Sequence, residues 1–267
     1  MDANADEATD IAREGHRAYE RGDYTKACRL YRLAAGQGDA ESQNKLGLMY
    51  ERGLGVGQDY AEACRLYQLA ADQGHARAQC NLGTMYEGGH GVGRDYVEAC
   101  RWYRRAADQG NADAQCNLGL MYEGGRGVGQ SDAEACRLFR LAADQDNALA
   151  QLNLGTMYGE GRGVEQDHRE ACRWYRRAAD QGFARAQFNL GLMYEGGRGV
   201  GRDYVEACRW YRRAAVQGNA DAQCNLGLMY EEGCGVKQSD VEACRWYRRA
   251  AVQGNADAQC NLGLMYE

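Results

Sequence analysis

The chain has 267 residues, with no proline, 12 cysteines, 36 glycines and a formal net charge of −6. This acidic balance argues against a nucleic acid as the main partner. No apolar run approaches the roughly 18 residues that a membrane-spanning helix needs, so no membrane insertion is expected. The acidic start, MDANADEATD, lacks the apolar segment of a secretory signal, so we expect a cytoplasmic protein.

The N-terminal segment differs from the rest of the chain. Residues 1–7 are predicted to form a disordered acidic tail, and residues 8–38 a helical hairpin. From Gly15 to Ala27 the hairpin spans 12 residues, whereas the equivalent interval from Gly47 to Ala63 spans 16. The loop of this first hairpin is therefore shorter.

A period of 36 residues governs the remainder. Leu-Gly recurs at this spacing from 46–47 to 262–263, and Ala-Cys-Arg from 27–29 to 243–245. A fixed period of this length indicates stacked copies of one supersecondary unit. We predict six such repeats over residues 39–254, and residues 255–267 supply only the first helix of another.

Each repeat is predicted to contain two helices. In residues 75–110, apolar side chains follow helical spacing on both sides of the glycine-rich segment GGHGVGR. Glycine readily adopts the left-handed conformations that end a helix and turn the chain. Asp95 and Glu98 have the spacing of a capping box, which starts the second helix. Gly83 is expected to face Ala99, so that the two helix backbones approach closely. The fold class is all-α.

The stretch AQCNLGTMYEGGHGVGRDYVEACRWYRRAADQG resembles the Sel-1-like repeat, a relative of the tetratricopeptide repeat. The resemblance covers roughly residues 39–267, and the shortened loop ERGD makes the 8–38 hairpin similar to a plain tetratricopeptide repeat. It implies a right-handed α-α superhelix, a solenoid with a concave and a convex face. It also implies an adaptor or scaffold that gathers other proteins.

The cysteines are interpreted as small buried hydrophobic residues repeated by duplication. Equivalent positions in stacked repeats should lie about 10 Å apart, too far for one metal ion or for a disulfide. No cofactor and no metal site are predicted. The resemblance implies that secreted, cysteine-rich relatives join adjacent helices by a cysteine pair eight residues apart. Ala71 and Gln79 stand at those places here.

The second helices carry the segment WYRRAA, whose arginines are expected on the outer, convex side. Glu98 with Arg101, and Arg104 with Asp108, have the spacing of ion pairs on a solvated helix face. A basic patch for an anionic partner is the alternative.

The candidate binding site is a row of side chains on the first helices. If the geometry implied by the resemblance holds, asparagines and glutamates line the concave groove, beside the variable Phe188. An asparagine row offers donors and acceptors to an extended peptide, and the glutamates favour a basic or neutral segment. The alternative is that the asparagines bond locally within the stack. The predicted residues are Asn81, Asn117, Asn153, Asn189, Asn225, Asn261, Glu87, Glu123, Glu195, Glu231 and Phe188.

No nucleophile, base and orienting group stand together in the sequence, so no catalytic residue is predicted. The glycine-rich loops follow helices and lack the lysine and strand of a phosphate-binding loop. We therefore predict a non-enzymatic protein-interaction scaffold. Two alternatives stay open: a small-ligand binder or peptidoglycan-related hydrolase, as in secreted relatives, and a structural array that stacks end to end.

Overall fold

The computed structural model describes residues 3–265, and over this range it consists of α-helices and turns without a strand. The helices are α1 Ala3–Glu20, α2 Tyr24–Gly36, α3 Ala40–Arg52, α4 Tyr60–Asp72, α5 Ala76–Gly88, α6 Tyr96–Asp108, α7 Ala112–Gly124, α8 Asp132–Asp144, α9 Ala148–Glu160, α10 His168–Asp180, α11 Ala184–Gly196, α12 Tyr204–Val216, α13 Ala220–Glu232, α14 Asp240–Val252 and α15 Ala256–Leu264. Helix α1 includes residues 3–7, which sequence analysis assigns to a disordered tail, while residues 1 and 2 of that tail lie outside the described range.

The chain divides into two compact units, residues 1–131 and 132–267. In the first unit each helix from α1 to α7 packs against the next along the chain, and in the second unit the same holds from α8 to α15. Contact between consecutive antiparallel helices is the pattern of an α-solenoid. The predicted all-α solenoid class is confirmed. From residue 40 onward, the odd-numbered helices are the first helices of the repeats and the even-numbered ones the second.

Side-chain caps start the second helices. The carboxylate of Asp95 accepts the backbone N–H of Val97 at 2.9 Å and that of Glu98 at 3.0 Å. The reciprocal half of the predicted capping box does not form, because Glu98 pairs with Arg101 and the Asp95 N–H donates to the Tyr86 carbonyl. One carboxylate therefore satisfies two orphan donors of the first turn.

The glycine-rich loops join neighbouring repeats. Gly91 has φ of 70°, and a Cβ built on it would lie 2.2 Å from the carbonyl oxygen of Tyr60 in the preceding repeat. Gly199 stands in the same relation to His168, at 2.1 Å. The loop of one repeat thus lies directly on the first turn of the previous second helix, where only glycine fits.

The core lies between the helices of each hairpin, around fully buried aromatic rings such as Tyr103. A Cβ on Gly83 would come within 2.7 Å of the Tyr103 ring, so this glycine makes room for an aromatic side chain rather than for Ala99. At Gly155 the backbone also approaches closely, because the Ala171 carbonyl oxygen would lie 3.2 Å from a Cβ.

A ladder of buried glutamines links neighbouring repeats by hydrogen bonds. The side-chain amide of Gln79 donates to the Ala71 carbonyl at 3.1 Å, and Gln109 donates to the Gln79 carbonyl oxygen at 2.7 Å. A hydrogen bond therefore joins the Gln79 side chain to the Ala71 backbone of the preceding repeat. The equivalent buried glutamines are Gln43, Gln79, Gln115, Gln151, Gln187 and Gln223.

Candidate functional site

The asparagine row of the first unit is half-buried between neighbouring first helices. Asn81 on α5 donates to the side chain of Asn44 on α3 at 3.0 Å. The Asn117 amide lies 4.0 Å from the Cys80 sulfur. The local bonding that the sequence left open as an alternative is therefore present at Asn81.

In the second unit the asparagines lie beside buried tyrosines. Burial raises the pKa values of Tyr211 and Tyr247, and hydrogen bonds from Asn225 and Asn261 lower them in part. Asn153 differs, because its amide nitrogen is buried and has no hydrogen-bond partner among residues 3–265.

The glutamate row is fixed by tyrosine hydroxyls of the second helices. The hydroxyl of Tyr103 donates to Glu87 at 2.8 Å, and that of Tyr247 donates to Glu231 at 2.6 Å. Tyr211 donates in the same way to Glu195. Glu51, which belongs to the same row of glutamates, accepts from Tyr67 at 2.5 Å. Glu123 is half-buried like the others, but Phe139 stands at the tyrosine position of its repeat.

These bonds have an electrostatic consequence. Burial raises the pKa of the Tyr67, Tyr103, Tyr211 and Tyr247 hydroxyls, and the adjacent carboxylates raise it further. The phenols therefore remain protonated donors at neutral pH, and each carboxylate is held at one oxygen. The row presents fixed negative charges at one position of successive first helices.

One repeat departs from this arrangement. Gly159 on α9 stands where Glu87 and Glu195 stand in other repeats. There the Tyr175 hydroxyl donates to Thr156 at 3.2 Å, whereas the Tyr103 oxygen lies 3.2 Å from the Thr84 hydroxyl while its proton is donated to Glu87. A cavity of about 290 Å³ adjoins Gly159. The predicted glutamate row has no member in this repeat, and the 36-residue register shows the gap as Gly159.

Phe188 lies partly in the core rather than wholly on a free surface. Its ring centroid is 5.9 Å from that of Tyr211, and the side chain packs against buried residues of the second unit. The side chain is half-buried.

Most of the cysteines are buried like core residues, whereas Cys234 and Cys244 are half-buried and Cys260 is exposed. Burial raises the pKa of Cys64 to about 11 and that of Cys80 to about 12. The Cys64 thiol donates to the His90 carbonyl at 3.1 Å, which adds a link between repeats. Such thiols are neutral at physiological pH and are poor nucleophiles.

The described residues contain no group of three or more His, Cys, Asp or Glu side chains arranged to hold a metal ion. None of the helices within residues 3–265 is long and apolar enough to cross a membrane.

The arginines of the second helices are largely paired. The predicted pair of Glu98 and Arg101 forms at 3.2 Å. Arg104 reaches the Tyr122 hydroxyl of the next repeat at 2.8 Å instead of the predicted Asp108. Arg105 lies over the ring of Trp102, 4.6 Å from its centroid. These contacts favour the solvated outer face over the basic patch.

Stacked helix pairs with rows of repeated polar side chains define a repeat protein of the α-solenoid class. Comparison with protein families matches the Sel1 repeat eight times in succession. The chain therefore belongs to the Sel1 repeat family. The first match, residues 13–39, covers most of the N-terminal hairpin predicted over residues 8–38. The matched ranges are residues 13–39, 40–75, 76–111, 112–147, 148–183, 184–219, 220–255 and 256–267.

Solved structures agree with this assignment. A protective antigen of uropathogenic Escherichia coli with an SLR fold is 38% identical, with a TM-score of 0.89 over 97% of this chain and 56% of that one. This chain thus spans little more than half of that protein. A Sel1 repeat protein from Oxalobacter formigenes is 33% identical, with a TM-score of 0.81 over 90% of this chain and 96% of that one. A comparison with functionally curated proteins gave no match.

Proteins built from Sel1 repeats are generally protein-interaction scaffolds, and their solenoid fold is typically non-catalytic.

Proposed function

We propose that this chain is a non-enzymatic scaffold of the cytoplasm that binds a partner polypeptide along its first helices. The binding surface, here called the first-helix surface, comprises the predicted asparagines and glutamates of each unit together with Phe188. The partner segment is extended and basic or neutral, and it is not a nucleic acid. The glutamate row carries this proposal, because it holds several carboxylates at fixed positions on one side of each unit.

Electrostatics supports this choice of partner. Glu87, Glu195 and Glu231 each already accept a tyrosine hydroxyl, so their positions are set before a partner arrives. A preorganised charge loses little conformational entropy on binding. Like charges across an interface are costly, so an acidic segment is disfavoured.

The test is an array of extended peptides of equal length in basic, neutral and acidic versions. Basic and neutral peptides are expected to bind the full chain, and acidic ones are not. Equal binding of all three versions contradicts the proposal.

A pair of variants locates the binding surface in the second unit. Glu195→Gln with Glu231→Gln removes two charges of the row but keeps side-chain acceptors for the tyrosines, and it should weaken binding of basic peptides. The control, Glu206→Gln with Glu242→Gln, removes the same charge from second helices, where these residues pair with Arg209 and Arg245. If both double variants weaken binding equally, the first-helix surface is not the site.

A further inference from the structure

One repeat of the second unit lacks a carboxylate that its counterparts possess. Glu87, Gly159 and Glu195 occupy the same place in the 36-residue register. Outside its own helix, the atoms nearest to a Cβ built on Gly159 are the Ala171 Cβ and the Tyr175 hydroxyl, both at 3.7 Å. The space that a glutamate fills elsewhere is therefore open.

The groups that bind the carboxylate elsewhere are still in place. In the repeat 76–111, Glu87 accepts from Tyr103 at 2.8 Å and pairs with Arg126 at 3.0 Å. The corresponding groups around Gly159 are Tyr175 and Arg198. Both line the cavity of about 290 Å³, and Arg198 forms no ion pair with any described residue.

The other residues around the cavity add donors and positive charge. Asn189 and Arg185 line it, and so does His168, whose Nδ1 is buried without a hydrogen-bond partner among the described residues. Glu160 is the one acidic residue of the lining, and its carboxylate is bound by Arg162 at 2.8 Å. Burial raises the pKa of Tyr175, which keeps its hydroxyl a donor. Two arginines therefore face one paired carboxylate.

We propose that this cavity, the Gly159 pocket, binds a carboxylate group of the partner polypeptide in place of the missing glutamate. One oxygen accepts the Tyr175 hydroxyl and the other pairs with the Arg198 guanidinium, as the two oxygens of Glu87 do with Tyr103 and Arg126. Charge-assisted bonds of this kind are among the strongest that a polar pocket offers. The inference rests on the proposed function and deepens it: a basic or neutral segment carries one acidic group at this position.

The pocket can be tested with small probes on the full chain. Three acetylated peptides serve: Gly-Glu-Gly amide, Gly-Gln-Gly amide, and Gly-Gly-Gly with a free C-terminus. The readout is the side-chain Nε–H resonance of Arg198 in ¹⁵N-labelled protein. A saturable shift with the glutamate peptide, absent with the glutamine peptide, is expected.

The free C-terminal peptide distinguishes the two sources of a carboxylate. If it alone shifts Arg198, the pocket takes a main-chain terminus, which still supports a carboxylate site. If neither carboxylate peptide shifts the resonance, or if the glutamine peptide shifts it equally, the pocket is not a carboxylate site.

Three variants sharpen the result. Gly159→Glu places the carboxylate within the chain and should abolish the response, whereas Gly129→Glu adds the same charge in the loop of another repeat, where a Cβ meets nothing within 4 Å, and should keep it. Tyr175→Phe removes only the hydroxyl and should weaken peptide binding at least threefold. Phe139 shows that this position of the fold accepts phenylalanine. A full response in folded Gly159→Glu or unchanged affinity in Tyr175→Phe overturns the proposal.

The outcomes also separate the pocket from the scaffold function. If peptides of the array bind without regard to charge while Arg198 still responds, the proposed function fails and the pocket stands. If the array shows the expected preference and Arg198 does not respond, the proposed function stands and only the proposal of a carboxylate-binding pocket fails.

Discussion

Gly91 and Gly93 lie two residues apart in the same loop but have different structural roles. Gly91 has a positive φ, and a Cβ on it would collide with the Tyr60 carbonyl, whereas a Cβ on Gly93 meets nothing within 4 Å. Gly91→Ala should destabilise the protein by about 1–3 kcal/mol or more, through backbone strain and the displaced loop. Gly93→Ala should stay within about 0.5 kcal/mol of wild type. Thermal unfolding monitored by circular dichroism measures both, and equal melting temperatures would contradict the loop contact.

Burial at single residues also sets the order in which the thiols react. Cys80 and Cys116 are buried, and burial raises the pKa of each to about 12, whereas Cys260 is exposed. A disulfide reagent at pH 8 should therefore modify Cys260 rapidly and Cys80 and Cys116 only as the protein opens. Mass spectrometry of peptides from a time course identifies the sites. Modification of Cys80 as fast as Cys260 would show that the first helices are not packed as described.

Glu41 links stability to pH. A hydrogen bond from His75 at 2.8 Å lowers the pKa of this carboxyl to about 2, and Lys45 contributes in the same direction. Because the folded-state pKa is depressed, the stabilisation is complete above the ordinary carboxyl pKa of about 4.3 and is lost as pH falls towards 2. The melting temperatures of wild type and Glu41→Gln should differ above pH 5 and converge below pH 3. A constant difference over this range would argue against the pair.

At the scale of the helix and the repeat, the sequence predicts the features that depend on residues within one hairpin. Gly89 marks the end of α5, and Asp95 marks the start of α6. Both can be read from the sequence because caps depend on neighbours only a few residues away. The 36-residue period likewise predicts the helix pairs and their order. Contacts between repeats are harder to derive: Arg104 bonds to Tyr122 rather than to Asp108 because the tyrosine comes from the next hairpin.

The candidate site shows the same division. Its residues could be placed on one side of the first helices from register alone, yet nothing in the pattern indicates that Asn81 bonds to Asn44. Which tyrosine bonds to a given glutamate depends on the side-chain packing between the two helices of a hairpin, and the repeat pattern alone does not specify that packing. The register alone could have exposed the gap at Gly159, because a missing glutamate in a regular row is visible in the sequence.

The glutamine ladder supplies a prediction at the element scale. Gln79→Ala removes the hydrogen bonds that the buried Gln79 side chain makes with the Ala71 carbonyl and the Gln109 amide, and Gln79 is only 4% exposed. Loss of a buried hydrogen-bonding group should destabilise the protein by about 1–3 kcal/mol. Gln68→Ala is the control, because Gln68 bonds only to exposed Asp72 on its own helix. Urea unfolding compares the two, and equal midpoints would mean that the ladder contributes nothing to stability.

At the scale of the whole molecule, the stability of a stacked array is a sum over repeats and the interfaces between neighbours. Within the first unit, contacts run from each helix to the next along the chain. A lesion in one loop should therefore loosen its own repeat and the adjoining one, while more distant repeats remain protected.

Gly91→Ala provides the lesion for this test, because the Gly91 loop belongs to the repeat 76–111 and lies on the first turn of α4. Hydrogen exchange should accelerate most in α4, α5 and α6, which adjoin that loop, and α1 and α2, which belong to an earlier hairpin, should exchange at wild-type rates. Gly93→Ala should leave the whole pattern unchanged. Acceleration of equal size from α1 to α7 would instead mean that the first unit opens as one cooperative body, and nearest-neighbour stacking would then fail as a description of its stability.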